Sequence, residues 1–203
     1  MLGFGDFDSV APAQGSVRHG RGLGRRSGRM EQTPGEQPID LAFGFLTAVD
    51  SPSHGLFGGY LLVDPAGRPL EFHCTAPVKV SRAQQILYGA TLQSHLHGRQ
   101  IGATLLAEGT VAPELVLTDF EPMLHVRSHT SLPVALVTRA DAAAALTAGS
   151  TSFAIGSVSV SPHAQDAGLG EALRQKLESL VASVDLAEPF ERIRAAIEEA
   201  QRH

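Results

Sequence analysis

The histidines of this sequence are candidate ligands for a transition metal. The chain has nine histidines, and imidazole nitrogen is a common ligand of Zn²⁺. His125 and His129 are four residues apart, so they share a face if their segment is an α-helix and can then hold one side of a zinc site. His95 and His97 are two residues apart, which would point them roughly 200° away from each other on a helix. The sequence contains neither Cys-X-X-Cys nor His-Glu-X-X-His. Histidines scattered over surface and half-buried positions are therefore the favoured interpretation.

Cys74 is the only cysteine, so it cannot form a disulfide within the chain. A cysteine nucleophile needs a neighbouring base and a lowered thiol pKa. His73 is its sequence neighbour, but adjacent residues of a strand face opposite sides of the sheet. A buried structural thiol is therefore the favoured interpretation. Catalysis by a Ser-His-Asp triad lacks the Gly-X-Ser-X-Gly turn that would support it.

Composition favours one α/β domain with an N-terminal appendage. The chain has 203 residues, 43% of them hydrophobic, and a net charge of −5, so nothing global indicates nucleic-acid binding. No apolar run approaches the ~18 residues that a membrane span needs. The lone cysteine and the lack of an apolar signal segment predict a cytoplasmic protein.

Residues 1–38 differ in composition from the rest of the chain. Residues 1–30 carry five arginines against Asp6 and Asp8, and seven glycines. Such a segment buries too little apolar surface to offset its ordering entropy, so we predict a disordered arm. Three explanations remain open: a solvated tail, an arm that binds nucleic acid or a partner, or upstream translation with Met30 as the true start. Whether residues 1–29 belong to the mature protein is therefore open too.

From residue 39 the pattern is that of a folded core domain, predicted over 39–165. Ser81 is the predicted N-cap of a helix that continues to about Ala107, and the turn at residues 64–67 joins two strands into a hairpin. The segment 153–160 is an edge strand or a loop. We predict a mixed sheet of about five strands in the order β-β-β-α-β-α-β; the predicted strands are Phe43–Val49, Phe57–Val63, Pro69–Thr75, Glu114–Thr118 and Pro133–Val137.

Residues 166–203 are predicted to form two C-terminal helices. Leucines recur along the first at intervals of three or four, from Leu169 to Leu180 and on to Val184. Pro189 occupies the favoured first turn of the second, which carries Phe190, Ile193 and Ile197 on one stripe. These apolar stripes pack on the sheet, or they form a helical hairpin that binds a protein partner or a second copy of the chain.

Three short stretches resemble landmarks of the ribonuclease H-like superfamily, which has the same element order. Asp50 ends the first strand region, and Gly58-Gly59-Tyr60 opens the second strand soon afterwards. Asp119 ends the apolar strand Glu114-Leu-Val-Leu-Thr118. The resemblance covers about residues 43–137 and implies a ribonuclease H-like sheet. It also implies that Asp50 and Asp119 are Mg²⁺ or Mn²⁺ ligands, if the first and fourth strands are neighbours. In this family, two metal ions held by carboxylates activate a water for phosphodiester cleavage.

Gln84 departs from the family pattern. The helix after the third strand begins Ser81-Arg-Ala-Gln84, where the family has a glutamate that serves as the second metal ligand. The resemblance implies that the fourth ligand is Asp166 or Glu171, near the start of the C-terminal helices. A neutral amide at residue 84 removes one negative charge between two dications, which argues against surviving activity.

The leading hypothesis is therefore a non-catalytic α/β binding or accessory module that engages a protein partner and needs no cofactor. One alternative is a divergent Mg²⁺- or Mn²⁺-dependent nuclease that uses Asp50, Asp119 and either Asp166 or Glu171. Another is a profilin-like or roadblock-like interaction domain, in which the strand before Asp119 would not lie beside the first strand. Binding of nucleic acid through the basic arm is a further hypothesis.

Overall fold

The computed structural model describes residues 41–52, 54–139 and 152–202, so the predicted disordered arm, residues 1–38, lies outside the described residues. Within these residues, seven strands and four α-helices are connected by 3-10 helices and by a π-helix at Ser94–Ala103. The strands are β1 Phe43–Ser51, β2 Gly55–Val63, β3 Pro69–Cys74, β4 Val116–Thr118, β5 Val134–Arg139, β6 Phe153–Ile155 and β7 Val158–Pro162. The α-helices are α1 Arg82–Tyr88, α2 Thr104–Glu108, α3 Gly170–Val181 and α4 Glu188–Ala200. The 3-10 helices are Gly89–Thr91, Glu121–His129 and Ala164–Leu169.

All seven strands belong to one sheet, in the order β3-β2-β1-β4-β5-β7-β6. β1 is antiparallel to β2 and parallel to β4, and β4 is parallel to β5. The prediction of an α/β domain with a mixed sheet is confirmed, and so is the β2–β3 hairpin. Its turn is closed by a hydrogen bond from the Gly67 amide to the Asp64 carbonyl.

The predicted number of strands is wrong, because the segment 153–160 forms part of a hairpin, β6–β7. Ile155 pairs with Val158 across a two-residue turn, and Gly156 in that turn has a φ of +57°, a conformation that glycine adopts without steric cost. β7 extends to Pro162 and pairs with β5, which adds two strands at that edge.

The helical stretch predicted from Ser81 to about Ala107 is present, but it is not a single α-helix. Ser81 is the N-cap of α1 as expected, but α1 ends at Tyr88 because Gly89 adopts a φ of +47°. A short 3-10 helix, the π-helix and α2 then complete the connection to β4.

Helices cover both faces of the sheet. One face, called the α3–α4 face, packs on the two C-terminal helices through residues that include Phe45, Leu117, Leu177, Phe190 and Ile193. The other, the π-helix face, packs on the central connection through residues that include Leu46, Tyr60, Val116, Leu96 and Ile101. The apolar stripes of α3 and α4 therefore pack on the sheet of their own chain. Within the described residues, no helix is both long and apolar enough to cross a membrane.

Glu71 on β3 forms hydrogen bonds that connect the segment after α2 to the sheet. Its carboxylate accepts hydrogen bonds from the backbone amides of Thr110 and Val111, from the Thr110 hydroxyl, and from the His73 ring. These donors lower the pKa of Glu71 to about 2, with the Thr110 hydroxyl as the largest cause. The ionised form is therefore the one that stabilises the folded chain.

We expect Glu71→Gln to lower the free energy of unfolding at pH 7 by about 2 kcal/mol, since one pKa unit corresponds to about 1.4 kcal/mol and partial exposure weakens the effect. The folded pKa lies below the unfolded value of 4.5. The contribution is thus complete above pH 4.5 and lost as the pH falls towards 2. Urea denaturation at several pH values measures it. Glu198→Gln, an exposed change on α4, is the control, and an effect of Glu71→Gln that does not shrink in acid would contradict this account.

Candidate functional site

The two carboxylates on which the resemblance depends lie at the ends of neighbouring parallel strands, Asp50 near the end of β1 and Asp119 directly after β4. Gly44 and Phe45 of β1 pair with Val116 and Leu117 of β4, so the carboxyl ends of both strands lie at the same edge of the sheet. The first and fourth strands are therefore neighbours, as the resemblance requires.

Asp50 and Asp119 nevertheless face opposite sides of the sheet. On β4, Leu117 faces the α3–α4 side, and Asp119, two residues later, shares that side. On β1, Leu46 faces the π-helix side, which Asp50 shares four residues later. The two carboxylates line separate clefts. The structure thus does not bring them together.

Asp119 is partly buried and paired with a cation. Its Oδ1 accepts a hydrogen bond of 2.6 Å from the Thr47 hydroxyl on β1. Its Oδ2 forms an ion pair with Arg194 of α4. The β1 residue beside Asp119 is therefore a buried neutral threonine rather than a second carboxylate. A guanidinium occupies the position next to the carboxylate, so the acid charge is compensated within the chain.

A cleft of about 400 Å³ opens beside this pair. Its walls are largely apolar, with Val137, Val158 and Phe190 among the lining residues. The charged side chains at its rim are Asp119, Arg139, Glu191 and Arg194, and they form two ion pairs, Asp119 with Arg194 and Glu191 with Arg139. This cleft therefore has no unpaired carboxylate that could hold a dication.

Gln84 has a local structural role. Its side-chain oxygen accepts a hydrogen bond from the Ser81 backbone amide, and its own backbone amide donates to the Ser81 hydroxyl. This reciprocal pair is a capping box, which satisfies two backbone donors at the start of α1. Glutamine and glutamate serve equally in that motif. The residue type at position 84 is thus accounted for without a metal site.

The two candidates for a fourth ligand are both paired with arginines. Asp166 is buried, receives three hydrogen bonds from the guanidinium of Arg127 and accepts one from the Val134 backbone amide. This ion pair raises the pKa of Arg127. Glu171 is exposed on α3 and pairs with Arg174 one turn later, which lowers the pKa of Glu171. Neither carboxylate lines the cleft of Asp50 or that of Asp119.

Gly58 and Gly59 let helices approach the sheet from both faces. A Cβ on Gly58 would lie 2.1 Å from Ile101 Cγ2 in the π-helix, and one on Gly59 would lie 2.2 Å from Ile193 Cγ2 in α4. The glycine pair is therefore required by packing, as expected where backbone and helix meet closely.

Three of the histidines, His95, His125 and His129, line one cleft. His125 and His129 lie in a 3-10 helix, where residues four apart point roughly 120° away from each other. Both line a cleft of about 340 Å³ together with Tyr88, His95 and Arg99, and the Tyr88 and His95 rings stack at 4.3 Å. No group of three or more His, Cys, Asp or Glu in the described residues could hold a metal ion. Cys74, expected to be buried, is exposed at the end of edge strand β3.

Sequence reasoning missed Thr47 and Arg194, which are the partners of Asp119. The alternation of side chains along a strand could have indicated Thr47 as the β1 residue beside Asp119. Asp50 lies three residues after Thr47 on β1, so only one of them can share a face with Asp119. Arg194 gives no such signal, because the contact joins residues 75 positions apart in the sequence.

Comparisons with known proteins identify no family. No family model matches the chain, and no curated protein matches it. Among solved structures, an Argonaute from Marinitoga piezophila, in complex with a guide RNA, matches at 13% identity with a TM-score of 0.26. That match covers 47% of this chain and 16% of the Argonaute chain. At this TM-score the match supports no assignment of function.

Proposed function

We propose that this chain is a non-catalytic binding module with a ribonuclease H-like sheet, and that it engages a protein partner. The observation that carries the non-catalytic part is the separation of the acidic groups. Asp50 and Asp119 face opposite sides of the sheet, and Asp119 and Asp166 are ion-paired with arginines. Two-metal hydrolysis needs carboxylates that converge on ions about 4 Å apart. The described residues offer no such cluster.

The parallel pairing of β1 with β4 supports the ribonuclease H-like architecture. It also argues against the profilin-like or roadblock-like alternative, which requires these two strands to lie apart. The divergent nuclease also requires β1 and β4 to be neighbours, so this observation does not separate it from the proposed module. An activity test does.

We expect no metal-dependent cleavage of single- or double-stranded DNA or RNA in Mg²⁺ or Mn²⁺ by the chain or by Gln84→Glu. Restoring the family's glutamate should leave the melting temperature unchanged, because either residue completes the capping box. The assay is gel cleavage of labelled oligonucleotides, with calorimetry as the folding control. Cleavage that Asp119→Asn abolishes would overturn the proposal.

The helix α1 supports a protein partner. It has no buried residue, and Ile86 and Leu87 are 67% and 82% exposed. Residues 72–107 also contain no Asp or Glu. Tyr88 connects α1 to the cleft lined by His95, Arg99 and His129. An apolar surface beside uncompensated donors fits an acidic partner segment with apolar side chains.

We expect a photo-crosslinking amino acid at position 87, in the source cells, to capture one protein reproducibly, while the same group at position 198 on α4 captures none. The purified partner should then bind the chain in calorimetry, and Leu87→Glu should weaken binding about tenfold or more, since an exposed apolar contact becomes a like charge to an acidic partner. Arg202→Gln, in the turn after α4, is the control. Binding unchanged by Leu87→Glu would contradict the assignment to α1.

A further inference from the structure

A cleft of about 590 Å³ lies at the carboxyl ends of β1 and β4 on the π-helix face. One wall is the extended segment 78–80, which is hydrogen-bonded to Leu56 at the start of β2. The other wall is the start of the π-helix, with Gln93, Leu96 and His97, and Phe120 follows β4. The crevice beyond the carboxyl ends of parallel strands is a common ligand position in α/β sheets, and this volume is in the range of small-molecule sites.

Two opposite charges line this cleft without pairing. Asp50 and Lys79 are both exposed, and neither side chain forms a hydrogen bond or an ion pair within the part of the chain that the structure describes. By contrast, Asp119, Asp166 and Glu171 all pair with arginines. A ligand that carries both charges would be complementary to this cleft at two points.

His97 adds a buried polar group that has no partner. Its residue is 4% exposed, and its Nδ1 is buried with no hydrogen-bond partner in the described chain. Its ring lies edge-to-face on Phe120 at 5.1 Å. Burial, and secondarily His125, lower the pKa of His97, so the ring is neutral at pH 7. A buried polar atom left unpaired is unfavourable, and a ligand in the cleft can pair with this Nδ1 once the ring turns towards it.

Apart from Gln93, the other side chains that line the cleft are apolar. Leu56, Val78, Val80 and Leu96 contribute aliphatic surface and Phe120 an aromatic ring. Apolar walls with a few polar groups are typical of sites that bind small amphipathic molecules. The ligand should therefore combine a charged end with a hydrophobic body.

We propose that this cleft binds an α-amino acid unit with an apolar side chain, in which Asp50 takes the ammonium group and Lys79 the carboxylate. The side chain packs against Leu96 and Phe120, and His97 and Gln93 supply the neutral hydrogen-bonding groups. The ligand is a free amino acid, which carries both charges on one residue, or a short peptide, which carries the ammonium group on its first residue and the carboxylate on its last. This proposal is independent of partner binding at α1, which uses other residues.

The test is calorimetry with L-leucine, L-phenylalanine, N-acetyl-L-leucine, L-leucinamide and the dipeptide Leu-Leu. We expect saturable binding of leucine or phenylalanine with a Kd on the order of 0.1–1 mM. Removing either ligand charge should weaken binding about fivefold or more. Tighter binding of Leu-Leu than of leucine would identify the ligand as a peptide. Tighter binding of leucine would identify it as a free amino acid.

Two variants link each ligand charge to its residue. Asp50→Asn should abolish the preference for leucine over N-acetyl-leucine and leave the preference over leucinamide intact. Lys79→Gln should abolish the preference for leucine over leucinamide and leave the preference over N-acetyl-leucine intact. Both residues are exposed, so folding should be unaffected, and Glu198→Gln is the control. Ligand addition should also shift the ¹⁵N resonances of the His97 ring. No saturable binding up to about 10 mM, or affinities that neither variant changes, would overturn the proposal.

Discussion

Asp166→Asn is expected to destabilise the fold by about 3–5 kcal/mol, because it leaves a largely buried guanidinium without its anion. The substitution removes the charge that compensates Arg127, whose side chain is only 19% exposed. Breaking a buried ion pair from one side leaves an uncompensated charge, and this costs more than the pair itself contributes. The variant also weakens the bond to the Val134 amide, which joins β5 to the segment after β7.

Differential scanning calorimetry measures the effect as a drop in Tm of roughly 6–20 °C, given about 2–4 °C per kcal/mol for a domain of this size. Glu171→Gln is the matched control, because it neutralises the other candidate ligand but breaks only an exposed surface pair, which contributes little. Arg127→Met combined with Asp166→Leu should recover much of the loss, since no buried charge remains. A Tm shift equal for both single variants would contradict the structural role of Asp166.

The same residue shows how far the sequence could predict the site. Asp166 lies close to the helix start at which the resemblance expects an acidic ligand, so its position was found. Its partner Arg127 is 39 residues away, in a segment with weak helical signal. Whether a carboxylate binds a metal or an arginine depends on that distant residue. Local spacing therefore found the acid and could not determine its role.

The fold was more predictable than the site. β1, β2 and β4 were recognised because their apolar runs end in turn-forming or acidic residues, and the order of elements limited the sheet to few topologies. The break of the helix after Ser81 depends on a positive φ at Gly89, and glycine in a helical pattern gives no sign of which φ it adopts. The π-helix has no sequence signature at all, because it differs from an α-helix only in hydrogen-bond register.

Gly59→Ala is the second large prediction, with an expected loss of about 3 kcal/mol. The added methyl would lie 2.2 Å from Ile193 Cγ2, and that methyl is attached to a β-branched carbon that cannot rotate away within a helix. Either α4 or the strand must move, and overpacking of this kind typically costs about 1–3 kcal/mol. We expect the upper end, because Gly59 pairs with both β1 and β3 and the strand is fixed on each side.

A double-mutant cycle tests this cause. Ile193→Ala alone should cost about 2–5 kcal/mol through the cavity it leaves, but in the Gly59→Ala background the methyl groups no longer collide. The double variant should therefore be more stable than the sum of the two losses predicts, by about 1 kcal/mol or more. Gly168→Ala is the control, since a Cβ there meets no atom within 4 Å. Strict additivity in urea denaturation would show that Gly59 is not required for the approach of α4. The Gly-Gly-Tyr motif would then need an explanation other than the close approach of α4 to the sheet.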